Sequence, residues 1–174
     1  MTTVREVILA ADPGLGGALA VLVEGQLVEV EDMPTFELEI GGGKRRRLDL
    51  FTLEGQVRSL LASYAGPLDE IHVIIEEVGP RPKDGTVGAF TFGEAYGLLK
   101  GVVAGARLPL RTVTPVAWKK ALKLRRGKDA SRQRAMELFP TFRDQFARVK
   151  DDGRAEAALI GHWAHVELKQ RGTL

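Results

Sequence analysis

The sequence predicts an α/β fold: one five-stranded mixed sheet, three antiparallel strands followed by two parallel ones, flanked by helices. Three observations predict it. Short β-rich runs crowd the first 33 residues and are separated only by turn signals. Two later apolar runs each follow a stretch of helical periodicity, the alternation that sets strands parallel in one sheet. Beyond Thr114-Pro115 the remaining chain reads as helices.

Val4 to Ala11 is the first run and ends at the turn Asp12-Pro13-Gly14. Gly17 to Glu24 is the second, and Gln26 to Met33 alternates as the third, with Glu24-Gly25 as a tight turn between them. These three form an antiparallel meander. Gly41-Gly42-Gly43 and the block Lys44-Arg45-Arg46-Arg47 then read as a loop. Leu50, Leu53, Val57, Leu60, Leu61 and Tyr64 recur at helical spacing until Gly66-Pro67. Ile71 to Glu76 is nearly continuously apolar, as a central parallel strand should be. Residues 79–85, rich in Gly and Pro, interrupt regular structure before a helix from about Phe90 to Ala106. Leu108 to Val113 is the fifth strand. Thr114 caps a helix that has Pro115 in its first turn. A further helix opens at Asp129 or Ser131 and ends near Phe139-Pro140, and the last runs from Asp151 or Asp152 to about Arg171.

At 174 residues, the chain is expected to form a single domain, residues 1–174, with a core that needs no covalent staple. It has no Cys, which excludes disulfides, thiolate zinc sites and thiol catalysis. No apolar run reaches membrane-spanning length and no signal peptide is recognisable, so a soluble, cytoplasmic protein without membrane partners is expected. Net charge is only +2, but it is unevenly placed. Arg107 to Arg134 holds ten basic residues against one acid, Asp129, and Lys44 to Arg47 adds four more. Such segregation suits either a solvated helix face or a face that binds a polyanion.

Three acidic fragments stand out. Asp12 ends the first strand and is followed by Pro13-Gly14-Leu15-Gly16-Gly17, small residues that suit either a turn or the close approach of a charged ligand. Glu76 interrupts an apolar strand, where an ionised carboxylate needs a compensating cation or partner. Alternation sends Glu77 to the other face. Asp152 and Glu156 are one helical turn apart and head the stripe Leu159, Trp163 and Val166 expected to pack on the sheet. N-capping accounts for Asp151 or Asp152 but not for Glu156. Four hard oxygen donors without thiols suit Mg²⁺, with Mn²⁺ as a substitute, and two such ions can hydrolyse a phosphodiester. With the basic stretch, the combination points to a nuclease.

Ile8-Leu9-Ala10-Ala11-Asp12-Pro13-Gly14, Val73-Ile74-Ile75-Glu76 and Asp152-Gly153-Arg154-Ala155-Glu156-Ala157 resemble the RuvC family of Holliday junction resolvases, RNase H-like nucleases. Ala89-Phe90-Thr91-Phe92-Gly93, Tyr96-Gly97 and Val113-Thr114-Pro115 with Trp118-Lys119-Lys120 extend the likeness to RuvC-like proteins of bacteriophages. The resemblance implies an RNase H-like fold and a two-ion site of Asp12, Glu76, Asp152 and Glu156. It also implies a homodimer that places two sites on opposite strands of a four-way junction. Two positions depart from the pattern: Glu156 stands where relatives usually carry Asp, and Glu77-Val78-Gly79-Pro80 lacks an aromatic ring. The second departure favours branched DNA in general, such as flaps, splayed arms and forks, over four-way junctions alone.

The expected DNA-binding residues are Lys44, Arg45, Arg46, Arg47, Arg81, Lys83, Lys119, Lys120, Lys123, Arg125, Arg126 and Lys128. Lys119 also occupies the position of a DNA-contacting lysine in the family's motif. Trp118 reads as a core anchor or a base-stacking ring, and His72, His162 and His165 as structural or surface residues. Gly93, Gly97, Gly101 and Gly105 line one helix face, which suits packing on the chain's own sheet or contact with a second copy. A non-catalytic junction-binding protein is the alternative to a nuclease. An actin-like ATPase, which Asp12-Pro13-Gly14 also resembles, needs two lobes and a second phosphate loop.

Overall fold

Residues 4–79, 85–125, 127 and 129–172 are described by a computed structural model. Arg81, Lys83, Arg126 and Lys128 lie outside these residues. The strands of the main sheet are β1 (Glu6–Asp12), β2 (Ala18–Val23), β3 (Gln26–Asp32), β6 (Glu70–Glu76) and β7 (Leu110–Val113), in the order β3-β2-β1-β6-β7. β1 to β3 form the expected antiparallel meander, and β6 and β7 run parallel to β1. The turn between β2 and β3 holds Glu24 at φ 50° and Gly25 at φ 76°. That is the backbone of a two-residue hairpin turn matched to strand twist.

Alternation along β1 sorts two cores. Ile8 and Ala10 face helix α5 (Asp152–Gln170), whereas Val7, Leu9 and Ala11 face α1 (Leu50–Tyr64) and α2 (Gly85–Gly105). β1 is buried on both faces and paired on both edges, which accounts for its unbroken apolar run. Asp12 shares the parity of Ile8 and Ala10, and Glu76 that of Ile74, so both acids belong to the α5 side. Parallel pairing of Ala11 with Ile75, extended one step, sets Asp12 beside Glu76 at the carboxyl ends of the two central strands.

The expected loop at 41–47 is instead part of a hairpin, β4 (Thr35–Ile40) and β5 (Gly43–Leu48), forming a separate two-stranded sheet. Gly41 (φ 61°) and Gly42 (φ 79°) are its turn, and the basic block is a strand. Asp49 caps α1, accepting a hydrogen bond from the Thr52 N–H at 3.1 Å. α2 begins at Gly85, earlier than expected, and β7 is shorter than the predicted fifth strand. Helices α3 (Pro115–Ala121) and α4 (Ala130–Leu138) follow, and two 3₁₀ segments, Pro140–Phe146 and Val149–Asp151, lead into α5. Thr114 caps α3 as expected, its hydroxyl accepting from Ala117 N–H at 3.3 Å.

The face that α5 buries differs from the predicted stripe. Leu159 is fully buried, but Trp163 and Val166 are half-buried, and the contact with the sheet runs through Ala157, Ile160, Gly161, Ala164 and Leu168. A Cβ on Gly161 would overlap Leu22, so small residues set how closely this helix lies on β1 and β2. At the far end, Glu6 is buried with its carboxylate 2.5 Å from His165 Nδ1, and its backbone N–H donates to Glu24. On α2, Ala95, Leu99 and Val103 pack inward, whereas Gly93, Gly97, Gly101 and Gly105 are exposed with nothing near their Cα hydrogens. Packing of that glycine face on the chain's own sheet is therefore excluded. No helix among the described residues is long and apolar enough to cross a membrane.

Candidate active site

Asp12, Glu76, Asp152 and Glu156 gather at the carboxyl ends of the central strands, where α5 begins. They line two adjoining clefts rather than one pocket. The first, about 720 Å³, holds Asp12, Glu76 and Glu156 together with Arg45, Arg46 and Arg47 of the hairpin. The second, about 840 Å³, holds Asp12, Asp152 and Glu156 together with Lys119, Arg125 and Ser131. Asp12 and Glu156 border both.

Backbone contact fixes this arrangement. A Cβ on Gly17 would overlap the carbonyl of Asp12, and one on Gly153 would overlap the Gly16 carbonyl and come within 2.7 Å of Gly17 Cα. Gly17 thus closes the turn and Gly153 seats the start of α5, whereas a Cβ on Gly16 would meet nothing and one on Gly14 only ordinary contact with Phe92, and both line the first cleft. The Gly17 N–H donates to the Gly14 carbonyl at 2.8 Å across that turn.

Asp12 is half-buried, and its carboxyl is pushed up to about 7 by burial first, then by repulsion from Glu156 and Glu76. Glu76 is buried and accepts a hydrogen bond from Trp118 Nε1 at 2.8 Å. Trp118 is fully buried, so it is an anchor whose indole N–H holds Glu76 rather than a ring open to bases. Glu156 accepts from Lys119 Nζ at 2.7 Å and from the Ser131 hydroxyl at 2.9 Å, with the Lys119 ammonium lying over the Trp118 ring. Asp152 is ion-paired to the buried Arg132 at 2.9 Å, and burial raises its pKa against that pairing. Arg132 also bonds Asp129 and donates to the Ala147 carbonyl at 3.1 Å. Each of these three acids is thereby drawn toward its own partner, and no three acids among the described residues are clustered as a ready ligand shell.

The donor set nonetheless fits a hard divalent cation. It is all carboxylate, and the Asp12 carboxyl is penalised when charged by burial first and by Glu156 and Glu76 next, a penalty that a bound cation offsets. Asp151 is not part of this set: it is buried and bonded to the Arg148 backbone and side chain, capping the segment that leads into α5.

The expected basic residues divide by position. Arg45, Arg46 and Arg47 border the first cleft; Lys119 and Arg125 border the second. Lys44 is turned to Glu37 at 3.1 Å, and Lys120 is exposed. Lys123 lines a separate surface cleft with Arg125 and Arg134. Sequence reasoning missed Trp118 as the Glu76 donor, Ser131 as a Glu156 donor and Arg132 as the Asp152 partner. A buried indole needs a hydrogen-bond acceptor, and that was the signal available for the first.

No family model matches the chain. Over 136 residues, 74% of the chain, it is 31% identical to the Holliday junction resolvase MOC1, chloroplastic, of Chlamydomonas reinhardtii, and it spans about 15% of that protein's length. Its fold is similar to that of T. thermophilus RuvC in complex with Holliday junction substrate, with a TM-score of 0.65 at 18% identity over 97% of both chains. A second Thermus thermophilus RuvC structure matches with a TM-score of 0.57 at 17% identity, over 96% of this chain and 97% of that one. With a mixed sheet in the order β3-β2-β1-β6-β7 and α5 laid across its central strands, the chain has the RuvC-like, RNase H-like fold.

Proposed function

We propose that this chain is a structure-selective endodeoxyribonuclease that cuts Holliday junctions or other branched DNA with two divalent ions, Mg²⁺ or Mn²⁺. The observation that carries this reading is the meeting of Asp12, Glu76, Asp152 and Glu156, from three distant segments, beside clefts walled by arginine and lysine. When bound, the ions supply an activated water and stabilise the leaving oxygen of a phosphodiester. Asp12, Glu76, Asp152 and Glu156 would hold the ions, and Asp12 and Glu156 border both clefts. Trp118 keeps Glu76 aimed inward, and Lys119 and Ser131 fix the longer side chain of Glu156. Lys119, Arg125 and the hairpin arginines offer positive charge to phosphates on either side of the acids. The remaining DNA-binding candidates among the described residues, Lys44, Lys120 and Lys123, would add charge farther out.

A homodimer accompanies this reading, because two strands must be cut. The exposed glycine face of α2 borders a shallow groove of about 440 Å³ with Leu50 and Phe51, the latter 89% exposed. Such an apolar surface, free of side chains on one wall, suits contact with a second copy.

The test is a cleavage panel of duplex, flap, splayed-arm and four-way substrates with Mg²⁺, with Mn²⁺ and with EDTA. Metal-dependent cuts near the branch, absent from plain duplex, are the expected result. A protein that binds these DNAs yet cuts none with either metal is the non-catalytic alternative. Trp118→Phe, which keeps the ring and loses the N–H, is expected to weaken Mn²⁺ binding about tenfold in titration calorimetry. Unchanged affinity would remove Glu76 from the metal set.

A further inference from the structure

The β4–β5 hairpin has two unlike faces. Its register pairs Phe36 with Arg47, Leu38 with Arg45 and Ile40 with Gly43, so these side chains share one face. Glu37, Glu39, Lys44 and Arg46 occupy the other. The first face has no acid of its own and exposes Phe36, Leu38 and Ile40 by 42%, 40% and 43%. Arg47, on the same face, is tied to α2, but Phe36, Leu38 and Ile40 stand in a row along a two-stranded sheet with about two-fifths of their surface open, which stability alone explains poorly.

The three arginines of β5 have different duties. Arg46 donates to the Leu15 carbonyl at 2.7 Å and to the Thr35 hydroxyl at 3.0 Å, tying the hairpin to the loop after Asp12. Arg47 is 3.4 Å from Glu94, tying it to α2. Arg45 lies between them, is exposed, and has no ion-pair or hydrogen-bond partner among the described residues, yet borders the cleft of Asp12, Glu76 and Glu156. A cation left uncompensated at the rim of an acidic site is complementary to the phosphate of a strand entering that site. The apolar row beside it is complementary to base faces, which are accessible only where bases are unpaired.

We propose that the hairpin is a receptor for unpaired DNA at a branch point. Arg45 takes a backbone phosphate, Phe36, Leu38 and Ile40 take the faces of unpaired bases, and Arg46 and Arg47 hold the hairpin in place. This rests on the nuclease reading for its substrate class and adds a preference: branches with unpaired arms bind better than fully paired DNA. Such a receptor selects for local strand opening rather than for the number of arms.

Fluorescence anisotropy in EDTA tests it, with a labelled splayed-arm DNA carrying unpaired tails and a duplex of equal length. The double variant Phe36→Ser/Leu38→Ser is expected to lower the ratio of splayed-arm to duplex affinity about tenfold. Ile40→Ser at the hairpin tip is expected to lower the same ratio by a smaller factor, which guards against misfolding of the double variant. Arg45→Ala is expected to weaken binding of both DNAs and reduce the salt dependence by about one counterion. A ratio unchanged within twofold in both serine variants overturns the proposal. Dissociation of the double variant to monomers in sedimentation equilibrium, with the ratio retained, also overturns it and makes the row an intersubunit surface. If the parent protein shows the preference but cuts nothing with Mg²⁺ or Mn²⁺, the hairpin assignment stands and the nuclease reading falls.

Discussion

Asp12→Asn protein is expected to bind a four-way junction within about threefold of the parent and to cut it at least about a thousandfold more slowly, since loss of ion-held charge stabilisation is worth several kcal/mol. Asn keeps the shape of the side chain but removes its charge and one hard oxygen donor from a position bordering both clefts. A second consequence concerns stability. In the folded chain the Asp12 carboxyl sits at about 7, against 3.8 for the free group, because burial and the neighbouring Glu156 and Glu76 penalise its charge. The folded state therefore holds this proton more tightly than the unfolded one. The associated stability is complete below about pH 4 and is lost as pH rises toward and past 7. Asn does not titrate. In EDTA at pH 8 the variant is expected to melt several degrees above the parent, with the gap closing toward pH 4. Parental cutting rates would remove Asp12 from the chemistry, and a gap independent of pH would contradict the penalty that burial and the neighbouring acids place on its charge.

The second large effect is at the opposite end of β1. His165→Ala is expected to cost about 3–5 kcal/mol, because it leaves the buried Glu6 carboxylate without its 2.5 Å partner. The other Glu6 oxygen has no hydrogen-bond partner among the described residues to take over. For a chain of this length that loss lowers the melting temperature by roughly 6–20 °C. The double variant Glu6→Leu/His165→Leu is expected to recover most of it, since removing both partners of a buried polar pair is far less costly than stranding one. Glu6 lies six residues from Asp12 along an extended strand, about 20 Å away, so cutting at permissive temperature should persist. Thermal melts of the single and double variants decide the matter: a loss below about 1 kcal/mol in His165→Ala would show the pair to be dispensable.

Legibility in the sequence followed the range of the interactions involved. β1, β2 and β3 were readable because periodicity and the Glu24-Gly25 turn are local, and α3 because Thr114-Pro115 is a local start signal. The candidate acids were readable because an acid that ends an apolar strand, or stands on an apolar helix face, is conspicuous in either element. The hairpin was missed because Lys44 to Arg47 looks like a solvated run; the alternation that matters lies across the strand pair, Phe36 with Arg47 and Leu38 with Arg45. The buried stripe of α5 was misplaced toward Trp163 and Val166, since Ala157, Gly161 and Ala164 carry little hydropathic signal although they set the contact with the sheet. Glu6 with His165 and Trp118 with Glu76 are separated by 159 and 42 residues, and nothing near either member announces the other.

The seating of Gly153 on Gly16 and Gly17 has a bearing on how the protein is made. Synthesis proceeds from the amino end, so Asp12 and Glu76 emerge well before Asp152 and Glu156. A nascent chain therefore has half its acids, and the other half acquire their places only when the closing helix settles onto a waiting turn. On the proposed reading the four-acid set is therefore completed only at the end of folding, when α5 docks.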